Sequence, residues 1–150
     1  MKNITFFSIL VSSFISSQSL EEVISGNHRS EENKSRDQYR NPIETLNFFG
    51  IKNNMTVVEL NPGGGWYQEI LAPFLKDRGK YVSATYDPDS KSEYRRNSYQ
   101  SEMKRLKANK KLYGKPLIAS LSGEVYGKEE SADMVLSFRN YHNWVGSSEF

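Results

Sequence analysis

A doubly wound, mostly parallel α/β sheet is the fold this sequence predicts, and three observations predict it. Short apolar, β-branched runs alternate with segments of helical period. A glycine-rich turn, Asn61-Pro62-Gly63-Gly64-Gly65, joins the first of those runs to the helix after it. An acidic residue, Asp87, closes the second run. The chain has 150 residues, enough for one domain with a real core. Lys and Arg number 20 against 18 Asp and Glu, a balance too even to imply nucleic acid or an anionic membrane as partner. Cysteine is absent, which excludes a disulfide framework, a thiolate metal site and a thiol nucleophile.

Residues 1–19 have the three-part grammar of a secretory signal. Lys2 is followed by an apolar run through Ile15 and then by the small residues Ser17 and Ser19. The run is too short for a membrane span, so no stable span is expected after cleavage. Residues 20–40 are polar and poorly periodic and read as a leading arm or linker. A helix then starts with Asn41 as cap, Pro42 in its first turn and Glu44 able to reach back. Ile43, Leu46 and Phe49 share one face of it, and Gly50 ends it.

Residues Met55–Leu60 read as a buried first strand, with the glycine turn after them. Tyr67, Ile70, Leu71 and Phe74 line one face of the next helix, which Pro73 should kink or break and Gly79 stops. Lys80–Tyr86 is the second strand. Ser90–Leu112 reads as a polar helix whose many cations form a solvated face, since Glu93 and Glu102 are interspersed. Pro116–Ala119 and Ala132–Phe138 read as strands three and four. The expected order is 3-2-1-4, with residues 41–150 as one unit.

A strand, a glycine-rich turn and a helix in succession make a ligand site at the carboxyl end of the sheet. Gly63 and Gly65 allow backbone angles closed to other residues, and the helix start offers N–H groups. Asp87 stands where a carboxylate accepts hydrogen bonds from ribose hydroxyls. A dinucleotide fingerprint starting at Gly63 would demand Gly or Ala where Gln68 stands, which argues against a nicotinamide cofactor. His28 reads as a solvated residue. Two distant histidines without a carboxylate cluster make no metal site.

The run Glu59-Leu60-Asn61-Pro62-Gly63-Gly64-Gly65 resembles motif I of the class I S-adenosylmethionine-dependent methyltransferases, and Asp87 falls where that family has its ribose-binding acid. The stretch from Arg36 to Trp144 also resembles a group of often exported bacterial methyltransferases, predicted from sequence and of unknown substrate. Arg36-Asp37, Tyr39-Arg40, Pro42, Trp66-Tyr67, Ile70-Leu71-Ala72-Pro73 and Arg139-Asn140-Tyr141-His142 carry that likeness. The resemblance implies a Rossmann-like fold, S-adenosylmethionine as cofactor, and methyl transfer to a small-molecule acceptor. It implies cofactor contacts from Glu59, Asn61, Gly63, Gly65 and Asp87. It sets the loop after the fourth strand against the methyl group, with Arg139 and Asn140 as substrate-binding residues and Tyr141 and His142 as catalytic ones.

Asn61 departs from the family by replacing the motif's first glycine, although Asn tolerates left-handed backbone angles. No acidic residue ends the third strand, which leaves Ser120 or Ser122 for the adenine. Two other readings stay open: a non-catalytic nucleoside-binding module of the same fold, and an NAD(P)-dependent reductase. The family fold has seven strands, so a chain with four is expected to be an inactive fragment that associates through residues 132–138. The signal implies export, periplasmic or secreted, if it is cleaved. An uncleaved segment implies a membrane anchor or a cytoplasmic protein.

Overall fold

The computed structural model describes residues 18–123 and 127–145. Four parallel strands form one sheet in the order β3-β2-β1-β4. They are β1 (Thr56–Leu60), β2 (Lys80–Thr85), β3 (Leu117–Ser120) and β4 (Met134–Ser137). Val58 is paired with Val82 on one side and Val135 on the other, and Val82 with Leu117. The fold is therefore α/β and Rossmann-like, in the expected strand order. The strands begin or end within two residues of the runs read from the sequence.

The connections β1→β2→β3 step in one direction along the sheet, so right-handed crossovers lay their helices on one face. That face carries Val57, Glu59, Tyr81, Ser83 and Leu136, which alternate along their strands with residues of the other face. The crossover helices are α5 (Gln68–Leu75), α6 (Glu93–Ala108) and α7 (Lys110–Tyr113). Ile70, Leu71 and Leu75 of α5 are fully buried against Val57 and Tyr81.

Pro73 neither breaks nor ends α5. Proline has no N–H to offer the carbonyl four residues back, which belongs to Glu69. That oxygen accepts instead from His28 Nε2 at 2.9 Å. The reading of His28 as solvated is thus corrected: its ring fills the vacancy that Pro73 creates. Gly26 is required beside it, since a Cβ there would come within 2.5 Å of the imidazole.

Residues 20–40 are likewise not a linker. They form α1 (Leu20–Ser25), α2 (Glu31–Lys34) and α3 (Asp37–Arg40), followed by α4 (Pro42–Phe48). Leu20, Val23 and Ile24 of α1 are buried against the α5 side of the core. The anchor of this arm is Arg29, 2% exposed. Arg29 Nη1 and Nη2 donate to Asp37 Oδ2 and Oδ1 at 2.6 and 2.8 Å, and Nη1 also donates to the Ile24 carbonyl at 3.0 Å. Arg29 Nε faces Glu69 Oε2 at 3.9 Å, and the guanidinium lies 5.2 Å from the centre of the Trp66 ring. One buried cation thus ties α1, α3, α5 and the glycine turn together. The period of the arm is weak because each helix is too short to repeat it.

The expected capping of α4 by Asn41 is also corrected. Asn41 adopts φ 43, its side chain makes no cap bond, and it serves as the left-handed joint between α3 and α4. The single polar helix over 90–112 is in fact α6 and α7, divided at Asn109.

Of the signal expected over residues 1–19, all but Gln18 and Ser19 lie outside the described residues. Ser19 belongs to the fold. Its hydroxyl accepts from the Glu22 amide at 3.1 Å and its own amide donates to Glu22 Oε2 at 2.8 Å, a complete capping box for α1. No helix among the described residues is long and apolar enough to cross a membrane.

Candidate functional site

The chain leaves β1 through Asn61, Pro62 and the three glycines. Asn61, Gly63 and Gly65 have φ of 51, 57 and 81, so the left-handed conformation expected of Asn61 is present. Its amide donates to the Ala84 carbonyl of β2 at 2.7 Å, and this extends the ladder one residue past β1. Its side chain reaches across the end of the sheet. Asn61 Nδ2 donates to Tyr86 Oη at 3.3 Å and to Asn140 Oδ1 at 3.1 Å. Asn140 Nδ2 returns bonds to the carbonyls of Leu60 at 3.1 Å and Asn61 at 3.0 Å. These bonds hold the loop after β4 against the glycine turn and support Arg139 in a left-handed conformation, φ 60.

The turn is open toward its outer side. A Cβ built at Gly64 would meet nothing within 4 Å, and one at Gly63 only the Asn61 carbonyl at 4.0 Å. Gly65 differs: a Cβ there would lie 2.6 Å from Arg105 Nε, so this glycine admits an arginine of α6.

A cavity of about 480 Å³ opens between the turn, the leading arm and the loop after β4. Glu59, Asn61 and Gly63 line it from the sheet side, Arg139 and Asn140 from the loop after β4, and His142 from the one-turn helix α8 (Tyr141–Trp144) that follows. Arg36 and Arg40, which border the Arg29-clamped helix α3, supply two further cations. Trp66, Tyr67 and Phe138 form an aromatic wall. The Tyr67 and Phe138 rings stack 3.5 Å apart at 13°. The Arg40 guanidinium lies 4.6 Å from the centre of the Trp66 ring, whose Nε1 donates to the Asn33 carbonyl at 2.8 Å. Arg40 is held below the ordinary arginine value, first by burial and then by the charges of Arg36 and Arg139.

Beneath the turn runs a buried polar network. Tyr81 Oη donates to Glu59 Oε2 at 2.6 Å. Gln68 Nε2 donates to Tyr81 Oη at 3.3 Å and to Glu102 Oε1 at 2.6 Å, and Ser83 Oγ donates to the same Glu102 oxygen at 2.6 Å. Arg105 donates to Glu102 Oε2, to Gln68 Oε1 at 2.6 Å and to the Gly63 carbonyl at 2.9 Å. Gln68 therefore packs its helix closely against the strands through polar contacts. Glu102 is 2% exposed and is not part of a solvated face, which corrects that expectation. Burial pushes the Glu59 carboxyl up to about 7, reinforced by the Glu102 charge and opposed by the Tyr81 hydrogen bond and by Arg105.

Asp87 lines a second cavity of about 370 Å³, together with Tyr86, Arg95 and Ser122. Its Oδ1 accepts from the Asp89 amide at 2.8 Å. A third cavity of about 310 Å³ shares Asn61 through Gly64 with the first and reaches Tyr94, whose ring meets Tyr86 edge-on at 6.2 Å. The three cavities follow the carboxyl ends of the strands, and Asn61 and Tyr86 stand between the first and second.

Of the residues singled out in the sequence, Glu59, Asn61, Gly63, Arg139, Asn140 and His142 come together. Asp87 stands apart in its own cavity, Gly65 faces Arg105, and Tyr141 is 76% exposed outside the first cavity. Sequence reasoning did not give Arg36, Arg40, Trp66, Tyr67 or Phe138 a place in the site. The signal available was the density of Arg36, Asp37 and Arg40 ahead of the helix. Among the described residues no group of three or more metal-ligating side chains forms.

Compared with models of protein families, with curated proteins and with solved structures, the chain matches none.

Proposed function

We propose that this chain binds S-adenosylmethionine along the carboxyl ends of β1 and β2 and transfers its methyl group to a small-molecule acceptor. The observation that carries the reading is the open left-handed turn at Asn61 and Gly63, flanked by Asp87 on one side and by the Arg139–His142 segment on the other. An elongated ligand with a nucleoside at one end and an amino acid at the other suits a chain of cavities better than a compact one does. Asp87 would accept from the ribose hydroxyls, with Ser122 beside it for the adenine. Glu59, Asn61 and Gly63 would meet the amino-acid end.

When bound, the cofactor supplies an already activated methyl group, so the protein's task is chiefly to place the acceptor. The Tyr67–Phe138 stack and Arg139 would orient the acceptor. His142, which lines the cavity where Tyr141 does not, would take the acceptor's proton.

Calorimetric titration with S-adenosylmethionine and separately with NADH tests the reading. Binding of the first alone is expected, and Asp87→Ala is expected to weaken it about 10- to 100-fold through the loss of charged hydrogen bonds. Binding of NADH in its place would overturn the proposal in favour of a reductase. A second reading, a nucleoside-binding module without turnover, is favoured by the Asn61–Tyr86–Asn140 bonds that close over the sheet end. Methyl release to an acceptor separates the two.

A further inference from the structure

The first cavity gathers three guanidinium groups. Arg36, Arg40 and Arg139 line it together, and among the described residues none of them forms an ion pair. The nearby Asp37 carboxylate is taken by Arg29 in a bidentate pair. The one acidic side chain in the wall, Glu59, is buried and bonded to Tyr81 rather than to any of the three arginines. Burial first, and then the charges of Arg36 and Arg139, hold Arg40 below the ordinary arginine value, and the Asp37 charge offsets this only in part.

S-adenosylmethionine does not relieve it. The cofactor carries a sulfonium and an ammonium against one carboxylate, so it brings a net positive charge to the same region. The unmet demand is for an anion. Guanidinium is suited to it, because its planar fork pairs bidentately with carboxylate and phosphate. Beside the cations stands the flat apolar surface of Tyr67 stacked on Phe138, with Trp66 under Arg40.

We infer that the methyl acceptor is a small organic acid, with a carboxylate or phosphate held by Arg36, Arg40 and Arg139 and a flat apolar body lying on the Tyr67–Phe138 stack. This rests on the methyltransferase reading for the word acceptor, while the anion site itself rests on the cavity alone. The leading arm then acts as a specificity element, since two of the three cations come from it and Arg29 fixes their place.

The experiment uses phenyl phosphate and benzoate as probes, with benzyl alcohol as the neutral counterpart, titrated into the full chain with and without S-adenosylmethionine. The anions are expected to bind at least tenfold more tightly than the alcohol and to weaken as salt is raised. Arg36→Gln and Arg139→Gln, both exposed positions that leave the core untouched, are each expected to weaken anion binding about fivefold or more. Their affinity for S-adenosylmethionine is expected to stay the same or rise. Equal binding of anion and alcohol, or anion binding indifferent to both substitutions, would overturn the inference. So would loss of S-adenosylmethionine binding in the variants without effect on the probes, since the arginines would then hold the cofactor's own carboxylate. Anion binding that follows the arginines in a protein that never binds S-adenosylmethionine would uphold the anion site and refute the methyltransferase reading alone.

Discussion

On one face of the sheet the strands meet helices, and on the other, among the described residues, they meet loops and one side chain, Trp144, of a one-turn helix. The helix face buries α1, α4 and α5 against Val57, Tyr81 and Leu136 and encloses both the Glu59–Glu102 network and Arg29. The opposite face buries a much smaller cluster, Val58, Val82, Ala84, Tyr86 and Leu121. The β3→β4 connection runs there, because the step from β3 across to β4 reverses direction and a right-handed crossover changes face. Its described residues form turns and bends. Val135 and Leu117 are left 54% and 51% exposed, and a groove lined by Val58, Val82 and Val135 lies open. Fixed buried charge and close packing thus go together, on the face that also builds the site.

The comparison is broken most severely at Arg29. Arg29→Met removes the ion pair to Asp37 and leaves the buried Glu69 Oε2 without its nearest cation, so a loss of about 3–5 kcal/mol is expected in denaturant unfolding. A loss under about 1 kcal/mol would mean the arm is held by α1 alone. Next, Leu71→Ala on the helix face is expected to cost about 3 kcal/mol through a cavity beneath α5.

The Glu59 carboxyl sharpens the contrast through pH. Its folded value, about 7, stands above the ordinary 4.5, so the unfolded chain releases this proton first as pH rises. Its contribution is therefore full below about pH 4.5, declines through the window up to about 7 and is lost above it. The difference is on the order of 3 kcal/mol. Glu59→Gln keeps a partner for Tyr81 and has no proton to lose. Its stability relative to wild type is expected to rise across that window in melts taken from pH 4 to 8. A constant difference would place the Glu59 titration outside it. The smallest effect belongs to the loop face: Val135→Thr, on an exposed edge strand, is expected to change stability by less than about 0.5 kcal/mol.

Legibility in the sequence followed the range of the forces involved. The strands and the turn were readable because β-branched runs and glycine act on their own backbone, within a few residues. Asn61 at φ 51 is such a case, as its short polar side chain permits the angle locally. His28 was not readable. Its role depends on a carbonyl orphaned by Pro73 and lying 41 residues away in sequence, and no local pattern records that distance. Glu102 looked like one charge among many on a polar helix, and became buried only because Ser83, Gln68 and Arg105 converge on it from β2, α5 and its own helix.

By itself, the sequence determined that the chain alternates strand and helix, that a left-handed glycine turn follows β1, and that acidic and polar residues end the strands at one edge of the sheet. Tertiary structure alone decided which of those residues share a cavity. It set Arg36 and Arg40 beside Arg139, about a hundred positions away, left Tyr141 outside, and gave Asp87 a cavity of its own. The physical reason is that backbone preference is set by neighbours in the chain, whereas burial and charge pairing are set by neighbours in space, as where the buried Arg29 joins Asp37 of the arm to the Ile24 carbonyl and faces Glu69 of α5.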